Sequence, residues 1–292
     1  MKVILFSRPQ VAHTAEEIRQ LFEAFTHFGF DYAVNEEFVP IIRELTGMEL
    51  PAEKIYGHQT GEQPAGTIMV CYGGDGTLLD GVQRLDGAPI PVLGINAGHL
   101  GFLTSAPNKG LELIFREIAS GEISTEVRTM LRVEGDFPTR PDSLLALNEF
   151  AVQRHSAGMI SVETYVDNQM VATYHGDGVI VSTPTGSTAY SLSAGGPVVA
   201  PTCQCLVISP LAPHNLTMRP VVIPDTSVIT LHVNMRRSDA FITLDNRTYS
   251  LSRGATFTVK RAKQTVFLAV PHNISFYDTL RNKMMWGIDI RS

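Results

Sequence analysis

Three glycines surround one carboxylate in Gly73-Gly74-Asp75-Gly76-Thr77, directly after the apolar run Thr67 to Tyr72. Without a Cβ, such residues let backbone N–H groups come close to a ligand, and the turn sets its acid at the C-terminal edge of a parallel sheet, where open α/β folds bind ligands. The expected product is a presented carboxylate among amide donors, suited to taking or orienting a proton beside an anion. The same residues also make an ordinary tight strand-to-helix turn. No Gly-Lys-Ser/Thr follows and the nearest downstream basic residue is Arg84, so this is not a P-loop; the Gly-x-Gly-x-x-Gly spacing is also absent. A second stretch, Thr185 to Ser193, carries five Ser and Thr hydroxyls and no charge, just after the apolar run Val179 to Ser182. It can cap a helix and offer hydroxyls and amides to a polar, planar ligand, or simply be a capped helix whose hydroxyls bond their own backbone. Ser187 is a poor nucleophile, because Gly-x-Ser-x-Gly is absent and no His or Asp partner can be assigned.

The elements that must position these groups fall into two regimes. Up to about residue 120, short apolar runs alternate with helical patterns, as strands feeding crossover helices do. Val3 to Phe6 reads as a strand, Thr14 and Glu17 have capping-box spacing, Ile18, Leu21, Phe22 and Phe25 recur at helical intervals, and Gly29 suits a left-handed helix end. Thr67 to Tyr72 and Pro91 to Ile95 are further strands, Leu78 to Leu85 a helix, and Leu111, Ile114, Phe115 and Ile118 line another. Beyond about Ser124, runs rich in Val, Ile and Thr, broken at Asp167-Asn168 and Asp245-Asn246, indicate antiparallel strands at Ser161 to Thr173, Val228 to Val233, Ala240 to Leu244 and Thr256 to Val270, before a helical Tyr277 to Trp286. The expected fold is an α/β domain over 1–123, a Rossmann-like parallel sheet with covering helices, followed by a β-rich domain over 124–272.

The chain has 292 residues, 44% of them hydrophobic and 18% charged, which excludes disorder and collagen-like repeats. A net charge of −6 argues against nucleic acid as a partner, since polyanion binders need clustered Lys and Arg. A small anion held by helix starts remains compatible with it. No window approaches the roughly 18 apolar residues of a membrane span, and the apolar run after Met1 is too short for a signal-peptide core. The cytoplasm is the expected compartment. Cys71, Cys203 and Cys205 form no disulfide or metal framework and read as reduced structural thiols. Met284-Met285-Trp286 reads as core packing.

The Gly73 to Thr77 pentapeptide resembles one shared by NAD kinases, diacylglycerol kinases and sphingosine kinases, with a close variant in phosphofructokinases. The blocks that follow single out the first: Gly94 to Leu103, Asn148-Glu149, Gly176-Asp177-Gly178 and Thr183 to Pro197 resemble the motifs of the bacterial-type ATP–NAD kinase family, in the same order. The likeness is nearly continuous from Asp177 to Pro197 and recognisable from about Thr67 to Pro224.

That resemblance implies transfer of the γ-phosphate of ATP to the 2′-hydroxyl of the adenosine ribose of NAD, giving NADP, with Asp75 as the base that activates the hydroxyl. Phosphoryl transfer asks the protein chiefly to position an in-line attack and to stabilise spread negative charge. The resemblance further implies substrate contacts at Gly74, Gly76, Thr77 and Phe102, and a dinucleotide site from Asn148, Glu149, Asp177, Thr188, Ala189, Tyr190, Ser191, Leu192 and Ser193. His99 can reach a ligand phosphate. His175 stands where relatives often have Arg, and Leu244-Asp245-Asn246-Arg247 where they tend to have Asp-Gly-Gln, which makes Asp245 and Arg247 candidate contacts. Mg²⁺ or another divalent ion is implied as arriving with ATP, the segment 273–292 as returning to the first domain, and the assembly as a homodimer or homotetramer joined through the β-rich half. The alternatives are a diacylglycerol- or sphingosine-type lipid kinase, which would need an apolar cleft in place of the polar Thr183 to Pro197 block, and a non-catalytic dinucleotide sensor, which would have no need of Asp75.

Overall fold

The N-terminal apolar run forms β1 (Lys2–Phe6). Thr14 and Glu17 close the expected capping box on α1 (Ala15–His27), which buries Ile18, Leu21, Phe22 and Phe25. Gly29, at φ +66°, turns the chain out of the helix. Then come β2 (Asp31–Asn35), α2 (Val39–Thr46), β3 (Ile55–Tyr56), β4 (Thr67–Tyr72), α3 (Asp75–Arg84), β5 (Val92–Asn96), β6 (Ala106–Pro107) and α4 (Leu111–Ser120). The helix expected at Leu78 starts earlier, with Gly74 as N-cap and Asp75 in the first turn, and with no side-chain cap the first amides of that turn are left to be met by something else.

A β-rich stretch follows: β7 (Ser124–Gly135), β8 (Leu145–Ala146), β9 (Glu149–Arg154), β10 (Ile160–Val166), β11 (Gln169–Gly176), β12 (Gly178–Ser182), the single turn α5 (Tyr190–Ser193), β13 (Cys205–Leu211), β14 (Val221–Pro224), β15 (Ile229–Asn234), β16 (Ala240–Leu244), β17 (Arg247–Leu251) and β18 (Ala255–Val270), before α6 (Phe276–Met284). This computed structural model describes every residue except 99, 100, 105, 108, 109, 157, 236–239, 273 and 288–292, and the side chain of Pro107.

The chain divides into two units, Met1–Val127 with Val266–Ser292, and Arg128–Thr265, where the sequence reading drew 1–123 with 273–292, and 124–272. In the first unit the parallel order is β3-β2-β1-β4-β5, with β6 and the last residues of β18 pairing with β5. Its strands read as continuous apolar runs because both faces are covered. Val3, Leu5, Val70 and Ile95 meet α1 and α4 through Phe25 and Phe115, while on α3 Gly81 lies against Cys71, Met69 and Phe6, and a Cβ there would overlap Cys71 Sγ.

In the second unit, β14-β13-β12-β9-β16-β17 form one antiparallel sheet, and β11-β10-β15-β18, with β7 and β8 attached, form another. Val152, Val181, Ile208 and Ile242 from the first and Leu131, Val162, Leu231 and Phe257 from the second make one core. The run expected as a single strand from Ser161 to Thr173 is a hairpin, since Asp167 and Asn168 both take positive φ (51° and 65°), as its two-residue turn requires. Two packing expectations change: Met285 and Trp286 are more than half exposed rather than in the core, and of the cysteines only Cys71 is buried, Cys203 lying exposed.

Candidate active site

In the first unit, β2 and β3 extend the sheet from β1 in one direction and β5 extends it from β4 in the other. The loops after β1 and β4 therefore adjoin at a switch point, where an open α/β sheet leaves a crevice beyond its strand ends. Gly73–Thr77 fills that position. The Asp75 carboxylate is not the free, presented group expected from sequence. Its Oδ2 accepts the Phe102 N–H at 2.8 Å, and its Oδ1 accepts the N–H groups of Leu103 (3.0 Å) and Thr104 (2.9 Å) and the Thr104 hydroxyl (2.9 Å). The reason is the approach of Gly101, where a Cβ would overlap Asp75 Oδ1 and Thr104 Oγ1; glycine lets that backbone close over the acid.

Two cations flank the turn. The Lys283 ammonium of α6 lies 3.8 Å from Asp75 Oδ2, with the carboxylate 28% exposed, and 4.9 Å from the centroid of the Phe102 ring. Arg8, just past β1, pairs with Asp80 and lies against Gly76, where a Cβ would come within 2.8 Å of its Nη1. No side chain caps α3, so the first amides of the helix and its positive end face the same region. One acid, two cations and a set of backbone donors can hold an anion and orient one proton beside it.

In the second unit, Asp245 in the β16–β17 turn accepts the N–H groups of Leu147 (2.9 Å), Asn148 (2.7 Å) and Glu149 (3.2 Å). Burial raises its pKa, against the pull of those amides. Thr183 ties the same segment to the Thr185 stretch: its N–H donates to Asn148 O at 2.9 Å, its hydroxyl donates to Leu147 O at 2.6 Å, and that hydroxyl accepts the Gly186 N–H at 3.1 Å. Burial, and secondarily the charge of Asp245, pushes the Glu149 carboxyl up to about 8, so at neutral pH it is chiefly a hydrogen-bond donor. Among the described residues, Asn148 Oδ1, Glu149 Oε2 and Thr185 Oγ1 are buried polar atoms without a hydrogen-bond partner. Native interiors rarely tolerate three such atoms in one place unless a ligand or water completes them.

Two family models match this chain. The model described as the ATP-NAD kinase N-terminal domain matches residues 57–123 and that of the ATP-NAD kinase C-terminal domain matches 147–270. The chain is 36% identical to the NAD kinase of Christiangramia forsetii, with all of both proteins covered. The chain belongs to the NAD kinase family. It is also 42% identical to the NAD kinase of Porphyromonas gingivalis over 76% of this chain and 77% of that one. Two solved structures share its fold: yeast NADH kinase complexed with NADH (TM-score 0.86, 23% identity, 100% of this chain and 89% of that one) and an NAD kinase from Archaeoglobus fulgidus in complex with ATP (TM-score 0.73, 24% identity, 98% and 99%).

Within this NAD kinase fold, the first unit brings together Gly74, Asp75, Gly76, Thr77 and Phe102, Thr77 being buried behind Gly74. The second unit brings together Asn148, Glu149 and the Thr185 stretch, a 3₁₀ turn (Thr185–Thr188) leading into α5 in place of a longer capped helix. Tyr190 is exposed, its hydroxyl donating to Gln153 Oε1 at 2.8 Å; Leu192 is half-buried and Ser193 exposed. Ser191 is buried against Ser209, and the Thr188 hydroxyl bonds Thr185 O. Ser187 is buried, and its Oγ bonds backbone groups of Pro184 and Val199. Asp177 is held by Arg154, whose Nε and Nη2 lie 2.6 and 3.2 Å from its oxygens. Arg247 spends its guanidinium on the carbonyls of Ser143 and Leu145. His175 is exposed on β11, and His99 lies outside the described residues. Sequence reasoning missed Arg8, Thr104, Arg154 and Lys283. Arg8 alone had a signal, as a basic residue immediately past a parallel strand; the others meet their partners only through the fold.

Proposed function

We propose that this chain transfers the γ-phosphate of ATP to the 2′-hydroxyl of the adenosine ribose of NAD, giving NADP. The observation that carries the reading is Asp75 at the uncapped start of α3, at the switch point of the sheet, in a chain of the NAD kinase family. Asp75 Oδ2 keeps an acceptor site for the hydroxyl proton, and the first amides of α3 hold phosphate oxygens. Asn148, Glu149, Asp177 and Thr188 to Ser193 hold the dinucleotide, the neutral Glu149 carboxyl donating where Asn148 and Thr185 accept or donate. The archaeal and yeast relatives, with ATP and NADH bound respectively, support the same two ligand classes.

Among the described residues no cluster of His, Cys, Asp or Glu fits a metal ion, and the Asp75 oxygens are mostly taken. A divalent ion fits better as a companion of the triphosphate, where it neutralises phosphate charge and keeps several waters. The open edges of the second unit, β11, β14 and β17, suit a homodimer or homotetramer, since exposed edges invite pairing. No described helix is long and apolar enough to cross a membrane, in keeping with a cytoplasmic place of work. Purified protein given NAD, ATP and Mg²⁺ forms NADP, read by an NADP-specific dehydrogenase, and gives no phosphorylated diacylglycerol. Binding of NAD with no NADP formed identifies the dinucleotide sensor instead. Light scattering that returns a monomer mass refutes the assembly.

A further inference from the structure

Lys283 has a role that neither the family's domain models nor the sequence motifs assign. We propose that it is a phosphate-contacting residue of the reaction, the protein's own cation beside the transferred phosphoryl group; this rests on the kinase reading above. Its ammonium carries three donors, yet among the described residues its contacts are the Asp75 carboxylate at 3.8 Å and the face of the Phe102 ring at 4.9 Å from its centroid. The first distance exceeds a hydrogen bond. The cation is therefore placed and left with its donors open.

What places it is rigid. The Phe102 ring that Lys283 covers belongs to the loop whose three successive amides are bound by Asp75, and Phe276, at the start of the same helix as Lys283, meets that ring at 6.4 Å between centroids. That same N-terminal end of α6 is fixed by its capping box, Ser275 with Asp278. A lysine at the end of a solvated helix is ordinarily free to sample many rotamers. This one is 36% exposed and sits against a ring and a carboxylate that are both held.

The chemistry then follows from position. Oδ1 of Asp75 accepts three donors and Oδ2 one, so the acceptor capacity left for a hydroxyl lies on Oδ2, the oxygen that Lys283 faces. A hydroxyl bound there is attacking a phosphorus within bonding reach of that oxygen, and the spread charge of the phosphoryl group forms within reach of the ammonium. Asp75 takes or orients the proton, the O–P bond forms to the hydroxyl oxygen, the bond to the bridging oxygen breaks, and the leaving diphosphate carries away the electron pair. Lys283 transfers nothing; it neutralises charge that Asp75 alone would repel.

The test uses the full-length protein as wild type, Lys283→Met and Lys283→Arg. Charge-assisted bonds contribute about 1.5–3 kcal/mol, roughly a 10- to 150-fold effect. Lys283→Met is therefore expected to lower kcat/KM for ATP by about that factor, with KM for NAD and the melting temperature unchanged and with Lys283→Arg recovering most of the loss. Calorimetric titration with Mg·ATP and with adenosine gives a readout independent of turnover: Lys283→Met weakens binding of the triphosphate and leaves adenosine alone. Equal loss for adenosine, loss of NAD affinity by the same factor, or Met kinetics within threefold of wild type overturns the proposal. A wild type that binds Mg·ATP but makes no NADP overturns the kinase reading instead, while the titration still decides whether Lys283 meets phosphate.

Discussion

Replacing Asp75 by Asn separates two jobs that the structure gives to one side chain. The carboxylate accepts three loop amides and one hydroxyl at 2.8–3.0 Å. Bonds to a charged acceptor contribute about 1.5–3 kcal/mol and neutral ones about 0.5–1.5. Asparagine removes the charge from all four bonds and turns an NH₂ group toward at least one N–H donor. Because the bonds share two oxygens, their losses are not additive; a destabilisation of about 2–4 kcal/mol is expected, well above the usual single-substitution value. At roughly 2–4 °C per kcal/mol for a unit of 150–250 residues, the first unit should melt about 5–15 °C lower. Turnover should fall by a further factor of about 10²–10⁴, the usual contribution of a general base. The companion variant Thr104→Val removes one donor and keeps the acid, so it should lower the melting temperature while holding turnover within about tenfold, a neutral-bond-sized change at the site. NADP formation, thermal melts and hydrogen exchange at the amides of Phe102, Leu103 and Thr104 read the two jobs apart. An Asn variant with wild-type melting and amide protection refutes the loop-holding role. One that turns over within tenfold of wild type removes Asp75 as base, and a Thr104→Val variant as dead as Asp75→Asn assigns the lost activity to the loop.

Three further outcomes are expected. The Glu149 carboxyl is raised from 4.5 to about 8 by burial, so the stability tied to its protonation is complete below about pH 4.5 and is lost as pH rises through about 8; Glu149→Gln should gain in melting temperature over wild type between pH 6 and pH 9, and a gap that stays constant with pH would show the acid already ionised. A Cβ at Gly186 would fall 2.5 Å from the carbonyl carbon of Asn148 and 2.8 Å from its Cα, backbone that has nowhere to move; Gly186→Ala should therefore destabilise by about 1–3 kcal/mol and raise KM for NAD, whereas unchanged kinetics and melting would show the two segments to be loosely joined. The Arg154–Asp177 pair is a third to a half exposed, so Arg154→Ala should change stability by under about 1 kcal/mol while freeing both carboxylate oxygens and lowering KM for NAD; a rise in KM instead makes Arg154 itself a ligand.

Patterns that lie within one stretch of chain were legible in the sequence. The capping box at Thr14, the strand at Thr67 to Tyr72, the antiparallel run at Ala240 to Leu244 and the turn at Asp245 each follow from neighbours a few residues apart. The parallel direction of the first unit's strands followed from alternation of strand and helix, though their order did not. What was not legible depends on which distant groups meet. Asp75 looked presented because nothing near it in sequence could cover it; its partners lie 27 to 29 residues on. Asp245 stood in sequence as a turn residue and candidate contact, yet its partners lie 96 to 98 residues back. Arg247 stood as a candidate substrate contact, and the carbonyls of Ser143 and Leu145, again far in sequence, engage its guanidinium.

The two acids share a device that explains why both sites needed an Asp where many residues make a turn. Each takes three consecutive backbone amides of another segment, Phe102 to Thr104 for Asp75 and Leu147 to Glu149 for Asp245. Three N–H groups pointing the same way need an acceptor with charge and two oxygens, since a neutral side chain can satisfy at most part of the set. Once bound, the segment has its backbone donors spoken for and its side chains left for other partners: Phe102 meets Lys283, while Asn148 and Glu149 keep buried Oδ1 and Oε2 atoms unpaired among the described residues. At Asp75 the oxygen that accepts a single donor, Oδ2, also has the Lys283 cation beside it. Asp245, half-buried and raised in pKa by desolvation, holds the amides of Leu147 to Glu149, which suits a positioning role where Asp75 is proposed both to position and to react. The proposed distinction between a supporting carboxylate and a reacting one therefore lies in the Lys283 cation beside Asp75 and the raised pKa of Asp245, neither of which spacing along the chain encodes.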